Sequence, residues 1–404
     1  MIKVGSDFSG VGAFNQSLKR LGIEYKELFA CDMDKFARET FIHNYGEPEY
    51  YPTNVYDREI PKESLDIYMT SPPCQAFSLA GKRLGKDDKR GILFFNSYEF
   101  IQVNKPRYFI FENVKGLLSD DGGNTFQEWV NMLGGKSING VPVLFPYDES
   151  APYHLYWKVL NAKHHGVPQN RERVFLIGIR DDSDNSFQFP KEEHLTKRLK
   201  DVLEENVDKK YFISNEKIKY LLRTEGTTFN VNANILENDL PNESRTIQAS
   251  YYKASRDAQY LKIKSATSIG YEKAVEGDSI NFSVPNSETR RGRVGKQVAQ
   301  TLDTSCNQAT IIKYKNEINH SINQDICTGI DSNYHKGFGI RQGKCRQVVK
   351  DDFRIRRLTP RECFRLMDFP NTFTWNVSDS QAYKQAGNSI VVNVLYKIIK
   401  NLNL

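Results

Sequence analysis

The sequence predicts an α/β fold, a largely parallel sheet with helices on both faces, joined to a smaller, mostly β or irregular domain. Short apolar runs that end in polar loops alternate with helical patterns from residue 2 to residue 133, the rhythm that builds a parallel sheet. Two strand-like runs then follow one another around 153–179 with no helix between them, as an antiparallel pair closing the sheet would. From about 190 to 355 the rhythm is lost, and Asn, Ser, Thr, Tyr, Lys and Arg dominate. The expected organisation is therefore an α/β domain over 1–190, an inserted domain over 191–355, a connecting segment over 356–379 and a C-terminal segment over 380–404.

The first unit is Ile2-Lys3-Val4-Gly5, a short strand, followed by the glycine-bearing turn Asp7 to Gly12 and a helical pattern through Leu18 and Leu21. Such a turn lets a ligand approach backbone closely at a helix N-terminus. The spacing Gly10-x-Gly12 lacks the third glycine of the dinucleotide fingerprint, and a simple tight turn would look the same. Glu27 to Cys31 reads as a second strand ending at Asp32-Met33-Asp34. An acidic residue there is placed to bond a ribose hydroxyl pair, although an acidic helix start explains both aspartates too. Together the two features point to a nucleoside-containing cofactor other than NAD.

Lys35 to His43 is a helix, and Pro52 to Val55 is the end of a strand or a turn. Leu65 to Met69 is a third strand, and it runs into Thr70-Ser71-Pro72-Pro73-Cys74-Gln75-Ala76-Phe77-Ser78. Two prolines fix two φ angles and withhold two donors, so this loop is held open and stiff. Its cysteine can project into the crevice at the carboxyl end of the sheet; an inert Pro-rich turn is the plainer alternative. Gly91 to Val103 has helical spacing, and Arg107 to Phe111 is the clearest buried strand, ending at Glu112-Asn113-Val114. Glu112 thus shares a rim with the cysteine loop, where a site role is favoured over a helix cap. Asp120 to Gly123 is a turn before a helix through Trp129 and Leu133.

Tyr153–Leu160 and Arg173–Ile179 form the expected antiparallel pair, and their connection carries His164, His165 and Gln169-Asn170-Arg171-Glu172-Arg173. The paired histidines have no third ligand at a suitable spacing, so they read as structural and no metal is expected. Arg171 and Arg173 alternate with Glu172 and point to one side, where guanidinium groups suit a phosphate or a polarised carbonyl. In the insert, Arg245–Ala249 and Ala299–Leu302 are strand-like, Arg290-Arg291-Gly292-Arg293-Val294-Gly295-Lys296 is a basic loop, and Tyr251 and Tyr252 add aromatic surface. Thr359, Pro360 and Glu362 mark a helix start with a capping box. Gln385 to Ser389 reads as a polar loop running into an apolar helix.

The chain's 404 residues allow two or three domains, and its composition is that of a soluble globular protein. No run of about eighteen apolar residues occurs, so no membrane span is expected, and the N-terminus shows no secretory pattern. Six cysteines lie far apart with no Cys-x-x-Cys pair, which suggests reduced thiols and a cytoplasmic protein. Residues 251–350 hold 16 Lys and Arg against 9 Asp and Glu, more than the whole excess of +6. That segment suits a polyanionic partner; a solvated face is the alternative.

In order, Asp7–Gly12, Ser71–Ser78, Glu112–Val114, Gln169–Val174, Arg357–Cys363 and Gln385–Ser389 resemble the motifs of the DNA cytosine-5 methyltransferases of bacterial restriction–modification type. The insert is similar to that family's target-recognition region only in position, character and the Thr301-Leu302 pair. The resemblance implies a Rossmann-like methyltransferase fold, S-adenosylmethionine as cofactor with S-adenosylhomocysteine as product, and no metal. Cys74 resembles the nucleophile that adds to cytosine carbon 6. A free thiol is only a few per cent thiolate at neutral pH, so nearby positive charge should help it. Glu112 resembles the acid that bonds ring nitrogen 3 and the exocyclic amine. Arg173 would hold the ring carbonyl, and Arg171 would support the site or a phosphate.

By the same resemblance Phe8, Ser9, Gly10 and Gly12 line the cofactor, Asp32 takes its ribose, and Met33, Asn54 and Val55 lie at its adenine. Met33 stands where many members have an aromatic residue, and Asn54 where many have Asp. Pro72, Asn388 and Ser389 close the pocket. The target base must be rotated out of the duplex, with Gln75 and Ser78 near the vacated space and Arg290, Arg291, Arg293 and Lys296 on the DNA. The expected partner is double-stranded DNA bound by a monomer, with any cognate restriction endonuclease acting separately. Two rivals remain: the same chemistry on transfer RNA, which the long basic insert disfavours, and a DNA-binding regulator with a dead core, which has no need of Cys74, Glu112 and Arg173.

Overall fold

The computed structural model describes residues 1–72, 92–180, 182, 185–213, 260–305, 307–315 and 351–404. Cys74, Gln75 and Ser78 lie outside these residues, as do Arg245–Ala249, Tyr251 and Tyr252. The chain divides into two units: Met1–Glu204 with Val298–Cys306 and Thr359–Leu404, and Glu205–Gln297 with Asn307–Leu358.

The strands of the first unit are β1 (Ile2–Asp7), β2 (Tyr25–Cys31), β3 (Ile67–Thr70), β4 (Tyr108–Val114), β5 (Ser137–Ile138), β6 (Val141–Pro142), β7 (His154–Asn161), β8 (Gln169–Asn170) and β9 (Glu172–Ile179). Eight of them form one sheet in the order β2-β1-β3-β4-β9-β7-β5-β6. The pairs β1–β2, β1–β3 and β3–β4 are parallel, whereas β4–β9 and β9–β7 are antiparallel. The first crossover places β2 on one side of β1 and the next places β3 on the other. The chain thus reverses direction across the sheet at the carboxyl ends of β1 and β3, where open α/β sheets bind ligands.

Burial explains the strand sequences. Tyr108 to Phe111 are fully buried, as a central strand covered on both faces requires. The strand β9 can lie against β4 because Gly178 faces Phe109 in register, and a Cβ at Gly178 would meet that ring at 1.9 Å. The helices α1 (Ala13–Leu21), α2 (Lys35–Tyr45), α3 (Ile92–Asn104) and α4 (Asn124–Leu133) follow the predicted pattern. Asp34 caps α2, its carboxylate accepting from the amides of Phe36 and Ala37.

Three C-terminal helices complete this unit: α5 (Pro360–Leu366), α6 (Asp379–Asn388) and α7 (Val392–Lys400). The capping box at Thr359 and Glu362 forms as read. Gln385 to Asn388 are the last turn of α6, not a loop, because Ser378 caps that helix ten residues earlier. Both α6 and α7 dock on the N-terminal segment: Thr40 donates to Gln385 Oε1 (3.1 Å), Gln385 Nε2 donates to the Phe36 carbonyl (2.8 Å), and Ser17 donates to the Val392 carbonyl (3.1 Å).

The second unit holds a hairpin, β10 (Leu261–Lys264) with β11 (Tyr271–Ala274), and a sheet of β12 (Ser279–Asn281), β13 (Val294–Gly295), β15 (Gln308–Lys315) and β16 (Asp351–Arg357). Leu261, Ile263, Ala274, Ile280, Ala309, Ile311 and Ile355 make its small core. Its extent differs from the reading over 191–355. Residues up to Glu204 belong to the first unit, and so does the strand β14 (Ala299–Gln300), which pairs in parallel with β8. Thr301 donates to the Asn170 carbonyl (2.9 Å), and a Cβ on Gly387 would meet the Asp303 carbonyl at 2.5 Å. The Thr301-Leu302 pair is therefore seated on the first unit.

Candidate active site

The loop after β1 is set by backbone conformation. Phe8, Gly10 and Gly12 have φ of 57°, 55° and 83°, a left-handed region natural for glycine and uncommon for Phe. Gly12 has a second reason to be glycine, because a Cβ would meet the Tyr45 ring at 2.3 Å. At Gly10 a Cβ would meet nothing within 4 Å, so backbone is presented to open space. Asp32, at the end of β2, holds this loop: Oδ2 accepts from Gly10 N and Oδ1 from Asp34 N, both at 2.8 Å. Burial raises its carboxyl above the ordinary range, and those two amides oppose the rise. Two carboxylate oxygens have about four acceptor positions, so two are committed and capacity remains for a ribose.

Tyr51 was missed by the sequence reading, yet it shares this corner. Its hydroxyl lies 3.2 Å from Ser9 Oγ, and the Arg38 guanidinium sits 3.9 Å from its ring centroid. Met33 is 85% exposed, hence open to a flat ligand. Asn54 spends its amide locally, accepting from Tyr56 N and donating to Asp57. Val55 has its side chain buried in the core, which leaves its backbone for a ligand. Asn388 is exposed, and Ser389 is buried with its hydroxyl on the Ile390 carbonyl.

Beneath the loop lies a second group, built on the first residue of the Asp7–Gly12 motif, to which the sequence assigned no role. Asp7, the last residue of β1, is 1% exposed. It accepts from the Tyr68 hydroxyl (2.6 Å) and pairs with Arg58 Nε (3.0 Å). The Arg58 guanidinium lies 4.6 Å from the Phe100 ring centroid. Burial raises the Asp7 carboxyl and Arg58 opposes the rise; burial also pushes the neighbouring Cys31 thiol up to about 12. Cys31 is thus an inert core thiol.

On the other side of the switch point, Glu112 is 7% exposed and lies 3.1 Å from Arg173 Nε. The antiparallel register brings the pair together, with Glu112 opposite Phe175 and Val114 opposite Arg173. Burial raises the Glu112 carboxyl, against the pull of Arg173 first and Arg171 second. Next to it, Asn113 Nδ2 donates to the Pro72 carbonyl (3.3 Å) and its Oδ1 accepts from Val114 N (2.8 Å). A side chain of the Glu112 strand thereby anchors the chain two residues before Cys74.

Of the two readings of Arg171, support of the site or a phosphate contact, its contacts favour the first. It is 3% exposed, and it donates to the carbonyls of Leu302 (3.2 Å), Gly387 (3.0 Å) and Ser389 (2.8 Å). Burial, then the neighbouring Arg173, lowers its guanidinium to about 9. It is a brace between the β8–β9 turn, the Val298–Cys306 segment and the end of α6. His165 is fully buried and held neutral, lowered to about 4 chiefly by burial. Among the described residues no group of three or more His, Cys, Asp or Glu gathers as metal ligands.

In the second unit Arg291 is exposed and Arg290 is part-buried. Lys296 is exposed but paired with the buried Asp278 at 2.8 Å. Arg293 corrects the sequence reading. It has no exposed surface, and its guanidinium donates to the carbonyls of Asn281, Ser283 and Val284. It holds a turn and is closed to DNA.

Comparison with known proteins decides the family. The model of the C-5 cytosine-specific DNA methylases matches residues 2–403. The chain belongs to that family. It is 29% identical over 462 residues to the orphan methyltransferase M.SPRI of Bacillus phage SPR, covering 99% of this chain and 97% of that one. It is 30% identical over 390 residues to the type II methyltransferase M.HpaII of Haemophilus parainfluenzae, covering 95% and 84%. The fold is that of the Spodoptera frugiperda DNMT2 crystal structure, with a TM-score of 0.56 at 18% identity over 99% of both chains. The enzyme is thus a DNA (cytosine-5-)-methyltransferase, and membership of the family implies S-adenosylmethionine. The residues fit that cofactor: the Gly10 backbone is open, the Asp32 carboxylate keeps acceptor capacity, and Met33 is exposed. No helix among the described residues is long and apolar enough to cross a membrane.

Proposed function

We propose that this methyltransferase modifies one cytosine within a specific duplex sequence, after rotating it out of the helix, through a covalent bond between Cys74 and the base. The observation that carries the reading is the buried Glu112–Arg173 pair, on the strand whose Asn113 anchors the start of the cysteine loop. A buried carboxyl with a raised pKa holds or shares a proton where the cytosine ring needs one, at nitrogen 3. Arg173 keeps that carboxyl oriented and offers further donors to the ring carbonyl.

The chemistry then follows from the residues. Cys74 adds as thiolate to carbon 6, which breaks aromaticity and makes carbon 5 nucleophilic. Glu112 stabilises the electrons that move into the ring. When bound, S-adenosylmethionine supplies an electrophilic methyl. Carbon 5 would take that methyl, with S-adenosylhomocysteine leaving, and would then lose its proton to a base or water as the Cys74 sulfur leaves and the ring is restored. Asp32, Ser9 and the Phe8–Gly12 backbone position the cofactor side, with Pro72, Asn388 and Ser389 closing it. Gln75 and Ser78 would meet the vacated duplex, and Arg290, Arg291 and Lys296 the DNA. The enzyme acts as a monomer in the cytoplasm, and a companion restriction endonuclease would work separately.

A duplex carrying 5-fluorocytosine at the mapped site tests this directly, because fluorine cannot leave as the carbon-5 proton does. Wild type with S-adenosylmethionine should form a complex that survives denaturing electrophoresis, and Cys74→Ser should not. Complexes that form equally with Cys74→Ser, or only on RNA, would contradict the reading.

A further inference from the structure

The turn that Arg293 holds carries one residue under strain. Val284 has φ of 47°, a genuine outlier for a β-branched side chain. It also precedes Pro285, whose ring biases the preceding residue towards extended backbone. Two hydrogen bonds fix this conformation: the Val284 carbonyl accepts from Arg293 Nη2 at 2.8 Å and from Ser287 N at 3.1 Å. The Arg293 backbone amide donates in turn to Glu272 Oε2 at 2.7 Å. A fully buried arginine is therefore committed to a surface turn of the recognition unit. What that turn displays is an apolar side chain, 63% exposed.

Neither strain nor exposure gains anything for folding. Glycine would take the same φ without strain, and a polar residue would meet water better. Such outliers persist where function uses them. The neighbours define the use. The exposed side chains that follow in the same loop are those of Asn286, Glu288, Thr289 and Arg291. A phosphate clamp would be uniformly cationic, and Glu288 would oppose it. Asn, Glu, Thr and Arg are instead side chains that pair with base edges. The apolar member of that code is the contact to the carbon-5 methyl of thymine.

We propose that Val284 is a specificity-determining residue, which reads a thymine methyl in the major groove of the target sequence from the turn that Arg293 holds. This rests on the second unit being the one that reads DNA. The experiment maps methylation at base resolution on duplexes randomised around the target, for wild type, Val284→Gly and Val284→Thr. A second series replaces each thymine of the preferred site by uracil, which lacks only the methyl.

Val284→Gly relieves the strain, so its thermal midpoint should equal or exceed wild type, and it should lose about tenfold in discrimination at one A·T position. Val284→Thr keeps shape and strain but replaces a methyl by a hydroxyl, and it should lose less. Uracil at that position should slow wild type by a similar factor and leave Val284→Gly unaffected. An unchanged site profile in Val284→Gly, a preferred site without an A·T pair, or indifference of wild type to every uracil would each overturn the proposal while site-specific methylation persists. Failure of wild type to prefer any sequence would instead overturn the reading on which it rests.

Discussion

Arg171 and Arg173 stand two residues apart in one motif, and the structure predicts that their removal harms the enzyme in different ways. Arg171→Met keeps volume but removes the donors to Leu302, Gly387 and Ser389, all in a buried setting. Each orphaned carbonyl costs about 1–3 kcal/mol. Partial rearrangement keeps the sum near that of a broken buried ion pair, about 3–5 kcal/mol. For a domain of this size that lowers the thermal midpoint by roughly 10 °C. Because two of the carbonyls lie at the end of α6, the KM for S-adenosylmethionine should rise as well.

Arg173→Met should differ. Its ion pair with Glu112 can be replaced by a proton on Glu112, whose carboxyl burial already raises. The midpoint should fall by only a few degrees, while kcat drops by about 10² or more, the scale of losing one aligned donor at a reacting centre. Scanning calorimetry, with kcat and KM for each variant, separates the two. An Arg171→Met enzyme as stable as wild type but slow in turnover would refute the brace, as would an Arg173→Met enzyme that unfolds early yet turns over normally.

Further outcomes follow from the same geometry. Glu27 is raised to about 7 by burial, although the Asn15 amide donates to both its oxygens at 3.0 Å. Since the folded pKa lies above the ordinary 4.5, the stabilisation is complete below about pH 4.5 and is lost as pH rises through 7. Glu27→Gln should therefore gain up to roughly 3 kcal/mol on wild type in urea unfolding at pH 8 and little at pH 4.5; an equal gain at both would show that ionisation is not involved. At the cofactor loop, Gly12→Ala meets both a positive φ and Tyr45 at 2.3 Å, whereas Gly10→Ala meets only a positive φ. The first should lower the thermal midpoint of the unliganded enzyme, and the second should leave it nearly unchanged but weaken S-adenosylmethionine binding about tenfold, because its methyl enters the space left for the cofactor. Scanning calorimetry and calorimetric titration separate the two, and normal cofactor binding by Gly10→Ala would contradict the open Gly10 backbone as the cofactor's approach.

The parts of the fold legible in the sequence were those written locally. Apolar runs with period-2 or period-3.6 spacing gave β1 to β4 and the helices between them. Thr359, Pro360 and Glu362 announced α5 because a capping box is a contact three residues long. Glu112 and Arg173 could be placed at one rim from the sequence, because the first lies near the end of β4 and the second at the start of the antiparallel β9. What stayed hidden depends on neighbours distant in the chain. The burial of Arg293, read as a DNA contact, and of Arg171, read as supporting the site or a phosphate, stayed hidden because the carbonyls that hold them come from a turn and from segments over a hundred residues away. Ala299 to Leu302 looked like part of the insert because its partner, β8, is a two-residue strand. The Asp7–Arg58 pair beneath the cofactor loop left no signal, since the two residues meet only once β1 and the residue 58 region are brought together.

One measurement bears most directly on the whole account: transfer of labelled methyl from S-adenosylmethionine to a mixed-sequence duplex, with transfer RNA in parallel, followed by base-resolution mapping for wild type and Cys74→Ala. Wild type should place label on carbon 5 of cytosine in one short DNA motif, and Cys74→Ala should place none although it still binds the cofactor. Label on RNA alone, or substantial turnover by Cys74→Ala, would contradict the account.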